Sequence, residues 1–174
     1  LEEALNAGAG NITLITNAVD LSDASAALTG TGTLTFDPST DSTTIGVGNM
    51  ATGTLNIDAT EWSRIGAGWS SVVVGDGANG TGDIDIETTA LNNPSTFATN
   101  TGVITVDSAI TATDNASLTL DGQGIDVDAN IDMTGATTNG GITFDDAGST
   151  DIDAGLTAAG TLNLQANGDI DVGG

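Results

Sequence analysis

The sequence predicts an all-β chain wound into a right-handed parallel β-helix, a solenoid of about eight coils with a repeat of roughly 21 residues. Three observations lead there. Short apolar-polar-apolar triplets recur from one end of the chain to the other, each bounded by Gly, Asn or Asp, the alternation expected of half-buried strands closed by turns. Several of these triplets keep a near-constant spacing. Gly (25 residues), Thr, Asn, Asp and Ser abound while helix formers are scarce and only two prolines occur, a bias toward many short strands and tight turns.

In chain order the strands begin with Ile12-Thr13-Leu14, Leu34-Thr35-Phe36, Leu55-Asn56-Ile57, Val72-Val73-Val74, Ile84-Asp85-Ile86 and Ile104-Thr105-Val106. Leu118-Thr119-Leu120, Ile125-Asp126-Val127, Ile131-Asp132-Met133, Ile142-Thr143-Phe144, Leu162-Asn163-Leu164 and Ile170-Asp171-Val172 follow. Residue 12 to 34 is 22 residues, 34 to 55 is 21, 104 to 125 is 21 and 142 to 162 is 20. A second register agrees with the first: Val106-Asp107, Val127-Asp128 and Ile152-Asp153 each open the form apolar, Asp, small, any, apolar. A repeat this short, without a helix in it, suits one coil whose strands pair with their counterparts one coil on, giving a rod on the order of 40 Å long around an apolar column. The parallel crossover preference favours the right hand. Residues 1–174 are expected to form one segment of a longer repeat array, because both ends fall within the pattern.

One stretch departs from it. Asp58 stands three residues before Glu61, and Gly66 and Gly68 follow where a short helix would stop, so a single helical turn is expected there. Trp62, Trp69 and Arg64, the only cation, all fall in this stretch. The tryptophans have two readings: cover for a coil edge, or a ligand-stacking surface.

Gly32-Thr33-Leu34-Thr35-Phe36-Asp37-Pro38, then Thr44-Ile45-Gly46-Val47-Gly48, Gly53-Thr54-Leu55-Asn56-Ile57, Glu61 to Ile65, Gly68-Trp69-Ser70-Ser71-Val72-Val73-Val74-Gly75 and Gly82-Asp83-Ile84-Asp85-Ile86 come in an order that resembles filamentous-haemagglutinin-like large exoproteins. Outside residues 30–86 the likeness is only that of generic β-helix repeats. The resemblance implies a long right-handed β-helix exported to the cell surface or medium and used in adhesion, matrix building or contact-dependent interaction. It brings no catalytic residues.

Charge and composition narrow the function. Twenty-four acids stand against one cation, a net charge of −23, with no histidine, which argues against a nucleic-acid partner. Without cysteine there is neither a disulfide nor a thiolate metal site, and no apolar run is long enough for a membrane helix. General-base and nucleophilic catalysis draw chiefly on His, Cys and Lys, all absent, so the chain is expected not to be an enzyme and to require no cofactor. Gly75-x-Gly77-x-x-Gly80 has the letters of a dinucleotide fingerprint, but no helix follows to hold a pyrophosphate, so it reads as a turn.

Where apolar neighbours point inward, the Asp between them points outward. Asp107, Asp128 and Asp153 then recur on successive coils, and Asp126 and Asp171 lie in the flanking strands. Carboxylates stacked this closely repel one another, and calcium, a hard cation that takes oxygen ligands, is the candidate ion for relieving that repulsion. A hydrated acidic face screened by salt is the alternative. The resulting expectation is a non-catalytic structural or adhesive shaft of a secreted or cell-surface bacterial exoprotein. Its partners would be a host or neighbouring cell surface, or a matrix polysaccharide or protein. The alternatives are a subunit polymerising end-on into an extracellular fibre and, less favoured, a carbohydrate-binding or carbohydrate-active β-helix.

Overall fold

In the computed structural model, which describes residues 1–87 and 89–173, the chain is a parallel β-helix. β1 (Ala4–Asn6) and β2 (Ile12–Ile15) open it, followed by β3 (Ala27–Thr29), β4 (Thr33–Asp37), β5 (Ile45–Gly48), β6 (Leu55–Asp58) and the one-turn α1 (Ala59–Trp62). Then come β7 (Ser71–Asp76), β8 (Ile84–Ile86), β9 (Thr89–Leu91), β10 (Pro94–Thr99), β11 (Val103–Val106), β12 (Ile110–Ala112), β13 (Ser117–Gly122), β14 (Gly124–Val127) and β15 (Ile131–Asp132). β16 (Ile142–Asp146), β17 (Thr150–Ile152), β18 (Leu156–Thr157), β19 (Leu162–Ala166) and β20 (Ile170–Val172) complete it.

Every third strand along the regular part of the chain joins the same sheet. The first sheet runs β2-β4-β7-β10-β13-β16-β19, the second β6-β5-β8-β11-β14-β17-β20, and the third β9-β12-β15-β18. β1 and β3 pair separately at the N-terminal end, and a bridge from Leu28 to Ile65 extends their column. All these pairings are parallel, as coils stacked one on the next require.

Alternation decides what lies inside. Leu34 and Phe36, Val72 and Val74, Leu118 and Leu120 and the other inward members of the inner coils are essentially inaccessible, stacked in a continuous apolar column, while those of the outermost coils, such as Ile12, Leu14 and Leu164, are half-buried. Several buried strand positions are polar, and their hydroxyls are satisfied: that of Thr89 donates to the Glu87 carbonyl at 2.7 Å and that of Thr99 to the Gly82 carbonyl at 2.9 Å. The Ser95 hydroxyl donates to the Asn93 carbonyl, and the Thr150 hydroxyl donates to the Asp146 carboxylate at 2.8 Å.

The first sheet has seven strands, so there are seven coils where the repeat suggests about eight. The difference lies in one long coil. Leu34 pairs with Val72, 38 residues on, and not with Leu55, the partner that the 21-residue spacing suggested; Leu55 pairs with Ile45 in the second sheet. After β5 the chain doubles back and lays β6 alongside it in parallel. That return runs flat over β5, because a Cβ at Gly53 would stand 2.2 Å from the Gly46 nitrogen and one at Gly46 would stand 2.8 Å from the Thr52 carbonyl carbon. The other spacings agree with the structure: Ile12 pairs with Leu34, Ile104 with Ile125 and Ile142 with Leu162.

The expected helical turn is α1. Asp58 caps it in a reciprocal box with Glu61, whose second carboxylate oxygen accepts from the Leu21 backbone N–H at 3.0 Å. The glycine-rich stretch after β7 is a turn, in which the Asp76 carboxylate accepts from the backbone of Ala78 and Asn79.

Candidate functional site

The second sheet turns a densely acidic face outward. Strand pairing puts Asp85, Thr105, Asp126, Asp151 and Asp171 in one row across five coils. Just past the strand ends runs a second row, Glu87, Asp107, Asp128 and Asp153, fixed when the backbone N–H groups of Asp107, Asp128 and Asp153 donate to Ile86, Val106 and Val127 one coil back. The five sequence-predicted residues thus fall in two adjacent rows: Asp126 and Asp171 in the first, Asp107, Asp128 and Asp153 in the second.

The tightest group on this face comprises Asp85, Glu87 and Asp107, each offering a carboxylate oxygen within 4.8 Å of the others. Asp85 is held by the return loop, since one of its oxygens accepts from the Thr52 N–H at 2.7 Å and from the Thr52 hydroxyl at 3.0 Å. Its other oxygen is buried and has no hydrogen-bond partner. Glu87 accepts from the Ser108 hydroxyl.

Electrostatics on the face are repulsive. Burial, and then the charges of Asp85, Glu87 and Asp128, push the Asp107 carboxyl above its ordinary range. Burial followed by Asp128, Asp151, Asp107 and Asp153 does the same to Asp126. An all-oxygen donor set under mutual repulsion suits hard cations such as calcium, which takes six to eight oxygens at about 2.3–2.6 Å, so that water would complete the shell of a three-carboxylate group.

Asp107 is the one member of this group among the sequence-predicted ion ligands; Asp85 was expected only to point outward between Ile84 and Ile86, and Glu87, which follows β8 as Asp107 follows β11, lay outside the expected set. Glu87 departs from the form apolar, Asp, small, any, apolar, being Glu and preceding Thr88-Thr89-Ala90 in place of a clear small-any-apolar run.

The tryptophans belong to the core. Trp62 is 7% and Trp69 1% exposed, and each indole N–H donates to a backbone carbonyl, of Ala90 at 3.1 Å and of Leu28 at 3.3 Å. The Trp62 ring stacks near Phe97 with centroids 6.0 Å apart. Asn93 accepts from the backbone N–H of both Gly68 and Trp69, fastening the chain between them to the next coil. Both rings thus serve packing within and between coils, and of the two Trp62 keeps a small exposed edge, in a hollow that it lines with Ala59, Ser63 and Ala90.

No protein-family model, curated protein or solved structure matches this chain. Among the described residues no helix is long and apolar enough to cross a membrane.

Proposed function

We propose that this chain is a non-catalytic shaft segment of a large secreted or cell-surface exoprotein, working in attachment or matrix formation. The observation that carries the reading is the uninterrupted first sheet of seven in-register strands over an apolar column, an architecture whose product is length and stiffness. The filamentous-haemagglutinin-like order of residues 30–86 adds the expectation of export and of partners on cell surfaces or in a polysaccharide or protein matrix. Lacking His, Cys and Lys, the chain has few means for proton-transfer or nucleophilic chemistry, and its net charge of −23 repels nucleic acid.

The test is retention under flow of beads coated with the purified chain, over cell layers and over matrix polysaccharide, against beads coated with a charge-matched unfolded peptide. Retention above that control on either surface supports an adhesive shaft; retention no better on both sinks the adhesive part.

A second reading, end-on assembly into a fibre, is favoured by the way the coils are joined: parallel strand pairing stacks each coil on the next, and the same pairing can join the coils of two copies. Electron microscopy of the concentrated chain distinguishes the two, because filaments that Leu162→Lys abolishes would favour assembly.

A further inference from the structure

The outer surface of the first sheet is unlike the rest of this molecule. Its central row is Thr35, Val73, Thr96, Thr119 and Thr143, each the direct partner of the next, with Thr13 and Asn163 at its ends. Two residues earlier on the strands a parallel row includes Thr33 beside Ser71, and Pro94 beside Ser117. Neither row holds a charge, in a chain with 24 acids. Acids begin only on the far side of the central row, at Asp37, Asp121 and Asp145.

The long coil leaves this surface intact. β4 pairs directly with β7, so all the extra residues are carried on the other sides, and Thr35 still meets Val73 in register. Val73 is the one aliphatic member of the central row and matches Thr in shape. Among the described residues the hydroxyls of Thr33, Thr35, Thr96, Thr119 and Thr143 take part in no hydrogen bond within the chain. Those of threonines elsewhere, such as the buried Thr99 and Thr150 and the loop residue Thr137, do. A β-branched side chain on a strand is stiff at χ1, so the unspent hydroxyls and their methyls repeat with little rotational freedom.

The array has a defined lattice. Neighbouring coils are about 4.8 Å apart, and residues two apart on a strand about 6.6 Å. Hexagonal ice repeats its oxygen atoms at a spacing close to the first along one direction and at one moderately longer than the second across it. Charged groups order water around themselves in competition with such a lattice; threonine hydroxyls can stand in for lattice oxygens while their methyls sit in its gaps. We propose that this uncharged threonine face binds the surface of ice. The proposal goes beyond the shaft reading and does not depend on it, since it concerns one face and one ligand.

The experiment follows single ice crystals in a solution of the purified chain and measures the gap between melting and growth temperatures. Faceted crystals and a measurable gap are expected, both lost in Thr96→Tyr and Thr119→Tyr. Both should be retained in Thr111→Tyr, whose exposed side chain lies on the third sheet. Circular dichroism of each variant separates loss of binding from loss of fold. Round crystals without a gap for the parent chain would overturn the proposal, as would equal loss in all three folded variants. A dimer in sedimentation that Thr119→Tyr disrupts, without ice shaping, would assign the face to a second copy of the chain and overturn it as well.

Discussion

Replacing Asp126 by Asn should make the protein more stable, and the size of the gain can be worked from the register. Asp126 faces Asp151 one coil away, at about 4.8 Å, and Asp128 two residues along the chain, just past the end of β14, at about 6.6 Å. At the dielectric of water those repulsions amount to about 0.9 and about 0.6 kcal/mol. With a screening length of about 8 Å at physiological ionic strength, each falls to roughly half. The variant should therefore gain about 1.5 kcal/mol in low salt, a rise in melting temperature of about 3–6 °C for a chain of this size, and about half of that at physiological salt. Thermal unfolding followed by circular dichroism in the two buffers gives both values. A folded variant that melts lower than the parent in low salt would refute the reasoning, and so would a gain that salt leaves unchanged.

The remaining predictions concern pH, calcium and two buried groups. The carboxyls of Asp37, Asp107, Asp121 and Asp126 are raised in the folded chain, chiefly by burial, so the folded state binds protons more readily there and stability should increase as pH falls from neutral through their raised values. The carboxyl of Asp76 is lowered, first by the Ala78 N–H, and Asp20, Asp23 and Asp132 are lowered first by neighbouring hydroxyls; their contribution is lost as pH falls below the ordinary carboxylate range. Urea titrations across pH should accordingly show a maximum on the acid side of neutrality, and a steady decline from pH 7 downward would contradict this. Calcium should raise the melting temperature more than magnesium or matched sodium chloride, with Asp107→Asn together with Glu87→Gln removing the excess; equal responses to all salts would leave a hydrated acidic face. Phe97→Ala, at a fully buried site beside Trp62, should cost about 3–5 kcal/mol in urea unfolding. Glu61→Ala, which strands the backbone N–H groups of Leu21 and Asp58, should cost about 1.5–3 kcal/mol, and a loss well below 1 kcal/mol would show that water replaces the carboxylate.

The fold was legible wherever coils are regular, because alternation states which side chains face inward and the interval states which strands stack. Ile104 to Ile125 and Val106 to Val127 could be read off directly. The same rule failed between Leu34 and Leu55, where the spacing is right by coincidence and the pairing belongs to another sheet. What distinguishes that stretch is local: Gly46 and Gly53 permit a backbone to lie against a backbone, a contact that leaves no trace in the hydrophobic period. Two rows of acids are legible for the same reason as the strands, whereas Glu87 carries a longer side chain than the Asp of the other coils and stands outside their shared form. The tryptophans were ambiguous because composition cannot tell an aromatic that covers a coil from one that awaits a ligand. Only the carbonyls of Leu28 and Ala90 reveal that their polar edges are already engaged.

The doubled-back strand also uncouples contour from axial rise. Elsewhere about 20–24 residues advance the rod by one strand spacing, about 4.8 Å, but the step from Leu34 to Val72 consumes 38 residues for the same advance. Residue count is thus a poor ruler for this molecule, and the bend at Asn49 and Met50, where Met50 is 82% exposed, is a natural graft point. Sequence added there would hang from the side of the rod, leaving its pitch and its threonine face unaltered.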